Sequence, residues 1–376
     1  GIDLINIRDI GIGLDGAGSR LRQLEHHLAY YHGLGYRLVE IDPTPFALII
    51  DGELRRPQLE RFRAVLDNLD LRYSIHGLQR LNLAYDPRHE LCRRVMLAQI
   101  EICRAVGASR LVYHSGLQAL DALRYGVRGS LLTDQELAEG VRREVEAFRA
   151  LAPIAADAGV TIGIENGDPH LWEYNVLARF GRPRSELLKH QPWLHVRPIV
   201  RQLEAIDHPN VGMTLDFGHL YIAACDVGFD YLEAVGEAAP WVIHLHVNDN
   251  FGRLDRGFDA ESERWAFGES DVHLPPGWGN IPYRESLALL PDYHGDVILE
   301  IKPGFWDYLG DALQAMRDIL GQRNQVFSEK PGFSCILISE IMCQDHTRQN
   351  FPTHTTSAAP KGCNPLCTHT TPSEPP

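Results

Sequence analysis

Eight short, β-branched or apolar runs alternate with long amphipathic stretches across residues 1–320, and this alternation leaves few folds open. It is the pattern of βα units feeding a parallel sheet. The strand candidates are residues 2–7, 37–41, 71–76, 110–114, 160–165, 211–216, 241–246 and 297–301. Between them lie stretches of helical period, such as 91–106, 134–158 and 229–239. Gly107-Ala108 and Gly159-Val160 sit where a helix should stop and a strand begin. Eight such units in this length predict an α/β fold, a (β/α)8 TIM barrel with enlarged βα loops. A doubly wound open sheet with a dinucleotide site is the competitor. It fails on Gly11-Ile12-Gly13, which lacks the third glycine of G-x-G-x-x-G.

Composition narrows the function. Fifty acidic against 36 basic side chains give a net charge of −14, a poor basis for gripping nucleic acid. No window approaches eighteen uninterrupted apolar residues, so no membrane span is expected. The first residues lack the basic flank and apolar run of a secretory signal. Seven scattered cysteines point away from a disulfide framework and toward a reducing, cytoplasmic setting. The character changes near residue 321. In 321–376, Thr and Pro supply 14 of 56 residues, four basic groups cancel four acidic ones, and no usable period appears outside the Cys335–Ile338 neighbourhood. This segment reads as an irregular, disordered tail after a barrel spanning 1–320. Cys363 and Cys367 with His346, His354 and His369 lack the regular spacing of a zinc knuckle.

The chemistry is expected at the C-terminal ends of the strands, where the βα loops of a TIM barrel converge. The last polar residues of strands two to eight are Glu40, His76, His114, Glu165, Asp216, His246 and Glu300. Asp, Glu and His are only 68 of the 376 residues, so this run at consecutive strand ends is a pattern. Several carboxylates cannot stay ionised in one dry mouth without cations or protons to neutralise them. Imidazoles mixed with carboxylates are the ligand set of zinc, manganese or iron. A metal site follows. Elsewhere, His26-His27, His89 and His208 fall on helices or loops and read as solvated.

Four segments then carry a family likeness: Ile164-Glu165-Asn166, Leu215-Asp216-Phe217-Gly218-His219, His244-Leu245-His246-Val247-Asn248-Asp249 and Leu299-Glu300-Ile301-Lys302-Pro303. In this order, at the ends of strands five to eight, residues 1–320 resemble the xylose isomerase-like TIM-barrel superfamily. That superfamily holds sugar and sugar-phosphate isomerases and epimerases together with endonuclease IV. The resemblance implies a divalent metal (Mn, Zn, Mg or Co) held by Glu165, Asp216, His246 and Glu300. It also implies that Glu165 and Glu300 act as the acid and base that move a substrate proton through an enediolate.

A further stretch, Asp271-Val272-His273-Leu274-Pro275-Pro276-Gly277-Trp278-Gly279-Asn280-Ile281, is similar to the D-x-H…G-x-G-N-I segment of endonuclease IV. With it, the nine ligands of that nuclease's trinuclear site find counterparts. One metal would take His76, His114 and Glu165, and a second Glu165, Asp216, His246 and Glu300. The third would take His219, Asp271 and His273. The acidic barrel and two long insertions, 166–195 and 251–270, suit a small ligand better than a duplex. The expectation is therefore a metal-dependent isomerase or epimerase of a small-molecule sugar or sugar phosphate. Glu40, Lys302 and Trp172 are expected to touch the substrate, while His76, His114, His219, Asp271 and His273 serve as additional metal or substrate contacts. A multinuclear zinc phosphodiesterase (an AP endonuclease) is the alternative, and a non-catalytic carbohydrate-binding barrel ranks third. The sequence leaves homo-oligomerisation open.

Overall fold

The computed structural model describes residues 7–14, 20–124, 126, 128–257 and 260–321. The segment read as a tail, 322–376, lies outside them. Eight parallel strands close into a barrel: β1 Ile10–Leu14, β2 Leu38–Ile41, β3 Arg72–His76, β4 Arg110–His114, β5 Thr161–Glu165, β6 Val211–Asp216, β7 Val242–Val247 and β8 Val297–Leu299. Each strand pairs with its sequence neighbours, and β8 closes on β1 through Ile10↔Val297 to Ile12↔Leu299. Helices cover the outside: α1 Leu21–Leu34, α2 Arg56–Leu66, α3 His89–Val106, α4 Asp134–Asp157, α5 Val196–Ile206, α6 Tyr231–Ala238, α7 Tyr283–Ala288 and α8 Leu309–Ile319. Among the described residues, no helix is long and apolar enough to cross a membrane.

The sequence misplaces one strand. The first strand is Ile10–Leu14, not residues 2–7, of which 2–6 lie outside the described residues. In the barrel, Gly11 is needed for space: a Cβ there would come within 2.7 Å of Ile298 and 2.8 Å of Leu38. Glycine in a strand permits such a close approach. The other seven strands fall within a residue or two of their expected bounds.

Helix ends follow their local chemistry. Thr133 caps α4 in a capping box with Glu136. Gly107, at φ +71°, terminates α3 in the left-handed conformation that glycine tolerates.

The apolar interior has two parts. The larger cluster fills the barrel and the space beneath its helices. A smaller one, with Leu117, Leu120, Leu177, Leu187, Trp193 and Leu194, sits under two long loops at the C-terminal side, 115–133 after β4 and 166–195 after β5. A main-chain bond from Ala119 N–H to His190 O (3.0 Å) joins these loops, and one from Gly167 N–H to Trp193 O (3.1 Å) closes the second on itself. The insertion is a packed rim with its own small core.

Candidate metal centre and active site

Strand geometry delivers four side chains to one point. Glu165 ends β5, Asp216 ends β6, His246 lies near the end of β7 and Glu300 directly follows β8. Register pairs Asp216 with His246 and His246 with Ile298. Glu165, Asp216 and His246 are fully buried, and one ligand atom from each of the four lies within 4.8 Å of the others. His246 Nδ1 faces Glu165 Oε1 at 2.8 Å, Glu300 Oε1 at 3.3 Å and Asp216 Oδ2 at 3.9 Å. Asn166 clamps the backbone here, accepting from Asp216 N–H and donating to Asp216 O, both at 3.0 Å. Asn248 Nδ2 donates to Asp216 Oδ2 at 3.2 Å.

Two more groups of ligating type adjoin this one: His76, His114 and Glu165, and His219, Asp271 and His273. His114 Nε2 lies 3.0 Å from Glu165 Oε2 and 3.2 Å from His76 Nε2. His219 Nε2 lies 3.4 Å from Asp271 Oδ2, and His273 Nε2 is in direct contact with the same oxygen. The tautomers follow from the backbone. His76, His219 and His273 each set Nδ1 against a carbonyl, of Gly77 (3.1 Å), Asn166 (2.9 Å) and Glu300 (3.0 Å). An Nδ1–H donating to that carbonyl leaves Nε2 as a lone pair aimed into the mouth, the arrangement of a metal-ligating histidine. His273 adopts φ +48° to do this, a left-handed conformation uncommon outside glycine. Asp249 anchors its loop. Its backbone pairs with Leu274 at 2.8 and 3.0 Å, and its carboxylate accepts from the Gly277 and Ile281 N–H groups at 2.8 and 3.3 Å.

The electrostatics describe a site where carboxylates and imidazoles crowd together. Burial acts upward on Glu165 and Asp271, but His246 and His114 hold the first, and His273 and His219 the second, well below the usual carboxylate range. Burial pushes the Glu300 carboxyl up to about 8, with Glu165 and Asp216 adding to the effect against His246 and His273. Burial likewise raises Asp216, and its Glu165 and Asp271 neighbours reinforce this against His219. For His246, burial acts downward, but the Glu300, Glu40 and Glu165 carboxylates outweigh it and hold the imidazole well above its usual range. Glu165 Oε2 and Asp271 Oδ1 are buried without a hydrogen-bond partner. Carboxylate and imidazole donors converging this closely, with oxygens left over, fit a divalent cation.

Of the residues expected to touch substrate, Trp172 and Lys302 line the mouth, a cavity of about 260 Å³. Glu40 borders it too but is only 1% exposed. Its Oε1 lies 2.8 Å from His246 Nε2, and its Oε2 receives the Ser74 hydroxyl at 2.8 Å and faces His244 Nε2 at 2.7 Å. Glu40 thus stands behind His246, on the far side of the ring from Glu165. The same cavity is lined by residues that sequence reasoning did not select, among them Arg80, Asp121, Arg124, Asp168, His170 and Glu173. The Arg124 guanidinium stacks over the Trp172 indole at 4.6 Å. Asn166-Gly167-Asp168-Pro169-His170, directly after Glu165, was the available signal: polar and turn-forming residues on a loop aimed at the mouth.

Comparison with known proteins agrees with this architecture. Several solved structures share the fold at low sequence identity. A D-tagatose 3-epimerase-like protein has a TM-score of 0.58 and 17% identity, over 84% of this chain and 97% of its own. The IolI protein with a bound zinc atom has a TM-score of 0.56 and 15% identity, over 85% and 100%. The probable 3-DHS dehydratase AsbF of Bacillus anthracis has a TM-score of 0.54 and 16% identity, over 84% and 100%. No curated protein sequence matches significantly. Residues 28–319 match the profile of the xylose isomerase-like TIM barrels, and the chain belongs to that family.

Proposed function

We propose that this protein is a divalent-metal-dependent isomerase or epimerase acting on a small sugar or sugar phosphate. The observation that carries the reading is the convergence of Glu165, Asp216, His246 and Glu300 beside a cavity that Glu165 and Glu300 line. Three structural neighbours add support, being described as a D-tagatose 3-epimerase-like protein, a D-psicose 3-epimerase and an L-ribulose 3-epimerase. A bound divalent metal would polarise a substrate carbonyl and acidify the adjacent C–H. Glu165 and Glu300 come from strands on separate sides of the mouth, so one takes the proton and the other returns it. Glu40 holds the His246 ring in place. Trp172 supplies an apolar face for the carbon chain. Lys302, which lines the same cavity as Glu300, meets a developing oxyanion or a phosphate.

A second reading has its own observation. The groups around His114 and around His273 have the composition of two further metal sites, as a multinuclear phosphodiesterase would need. The small cavity and the −14 charge favour a small substrate over a DNA duplex.

Metal analysis of protein purified without added metal, beside a His114→Ala, His273→Ala double variant, separates the two. The isomerase reading expects the variant to keep its tightest-bound ion. A fall from three ions to one, with cleavage of an abasic-site oligonucleotide by the parent alone, would replace it with the phosphodiesterase.

A further inference from the structure

The chain satisfies the buried carboxylates it uses for structure. Glu144 accepts from the Tyr113 hydroxyl, the Gly116 N–H and Gln202 Nε2, each at 2.7 Å. Asp249 collects backbone N–H groups, and Asp296 is held by Arg8 and Arg72. Asp168 departs from this pattern. It is 5% exposed, yet its Oδ2 is buried with no hydrogen-bond partner. Among the described residues, it is the one carboxylate outside the candidate metal groups left in this condition. His170 Nε2 stands 3.9 Å from that oxygen, beyond hydrogen-bond reach.

Its position is fixed from both sides. Asn166 is clamped to Asp216, and Gly167 packs so closely under Trp193 that a Cβ would lie 2.2 Å from the indole. Downstream, the His170 N–H donates to Glu173 at 2.8 Å. A carboxylate oxygen buried without a donor loses hydration that no hydrogen bond of the fold replaces, and the His170 ring 3.9 Å away offers attraction at a distance only. Trp172 and Trp193 line the same cavity, and the indole N–H group of each is buried without an acceptor. One unused acceptor and two unused donors are the complement of sugar hydroxyls, each of which both donates and accepts.

We infer that Asp168, with the Trp172 and Trp193 N–H groups, forms a second subsite that binds hydroxyl groups of a polyhydroxylated carbon chain beyond the atoms held at the metal. Three residues of chain separate Asp168 from Glu165, a reach of at most about 10 Å, so one ligand can engage both. The subsite makes Asp168 a specificity-determining residue that selects longer sugars. The inference rests on the sugar reading of the site.

The test is calorimetric titration of the metal-loaded parent, Asp168→Asn and Asp168→Ala. The probes are D-tagatose, D-psicose and D-fructose, each against dihydroxyacetone, which offers the same carbonyl–hydroxyl pair without the rest of the chain. The parent should bind at least one ketohexose about tenfold or more tighter than dihydroxyacetone, the size of a hydrogen bond to a charged group. Asp168→Ala should erase that preference while leaving dihydroxyacetone affinity and metal content unchanged. Neither variant should melt below the parent, because no hydrogen bond of the folded protein is lost. A preference that survives in Asp168→Ala, or a parent that shows none, overturns the subsite and leaves the sugar reading standing. A lowered melting temperature in both variants makes Asp168 structural and also overturns it. If the metal-loaded parent binds neither dihydroxyacetone nor any of the ketohexoses, the sugar reading falls and the subsite falls with it.

Discussion

At the N-terminal ends of the barrel strands, the buried Asp296 carboxylate lies against Arg8 and 3.2 Å from Arg72, which also reaches Asp9 at 3.0 Å. At the C-terminal ends, Glu165, Asp216 and Glu300 face one another around His246. The same barrel thus buries acids in two ways, with opposite electrostatic results. Burial would raise Asp296, but its two guanidinium partners overcome this and hold it below the usual range, whereas Glu300 is pushed up to about 8. Paired charge at one end ties β1, β3 and β8 together. At the other end the raised Glu300 and Asp216 work against the folded state, although His246 and His114 stabilise Glu165, and a fold retains such a cost where it serves chemistry.

The sharpest way to break this comparison is to neutralise the crowded end. Glu165→Gln and Glu300→Gln should each lower turnover by a hundredfold or more, the usual loss for an essential acid or base. Glu300→Gln removes a carboxyl that burial and its Glu165 and Asp216 neighbours push up to about 8, so that metal-free variant should melt no lower than the parent. Near-normal activity on an identified substrate in either variant would end the two-glutamate mechanism.

Glu173, in the rim, extends the contrast to a group outside the metal ligands. It is fully buried, accepts from Gln191 Nε2 and the His170 N–H, and burial pushes its carboxyl up to about 7. A folded-state value above the ordinary 4.5 means that its contribution is complete below 4.5 and is lost as pH rises through 7. The loss is of order 3 kcal/mol. Relative to a Glu173→Gln variant, the parent should lose stability between pH 5 and pH 8 in urea unfolding. Parallel stability profiles for the two proteins would refute the assignment.

Glu40 tests how far the crowded end reaches into the barrel. As the carboxylate behind His246 it orients the ring, and loss of such a partner costs about ten- to a hundredfold in metal affinity. Glu40→Gln should show that loss in a competition titration against a chelator. Unchanged metal affinity together with weakened substrate binding would return Glu40 to the substrate-contacting role that the sequence suggested.

How much of this was legible depends on where each residue sits. Strand-end residues such as Glu165, Asp216 and His246 could be read because a buried parallel strand is apolar up to its end, so its last polar residue stands out. Glu300 follows the same logic, one residue past β8. From sequence the first strand falls at 2–7, and Gly11-Ile12-Gly13 stands only as a failed dinucleotide motif. The role of Gly11 depends on Ile298 and Leu38, which are remote in sequence. Glu40 looked like a mouth residue because a strand list gives position along the strand but not depth. Only the fold shows His244 and His246 closing over it. The rim residues Asp168 and Glu173 were harder to read: Asp168 lies in the loop after Glu165, and Glu173 in the short helix Leu171–Arg179, whose placement depends on packing between two insertions.

The smallest effect belongs to the paired end, and it should carry the opposite pH sign. Asp296 is held below its ordinary value by Arg8 and Arg72, whose own side chains are 49% and 45% exposed. Solvent screens partners this exposed, so the network is worth about 1 kcal/mol, well under what fully buried pairs would give. Because the folded-state value is depressed, the stabilisation is present above the unfolded value near 3.8 and disappears as pH falls below it. Asp296→Asn should therefore cost about 1 kcal/mol at pH 7, and the difference should vanish by about pH 3, below the unfolded carboxylate's range. Metal content and turnover should be untouched, since the substitution lies at the end of the barrel away from the mouth. A variant that loses activity in step with stability would mean that the two ends are coupled through the strands, and the division between a structural end and a chemical end would fail.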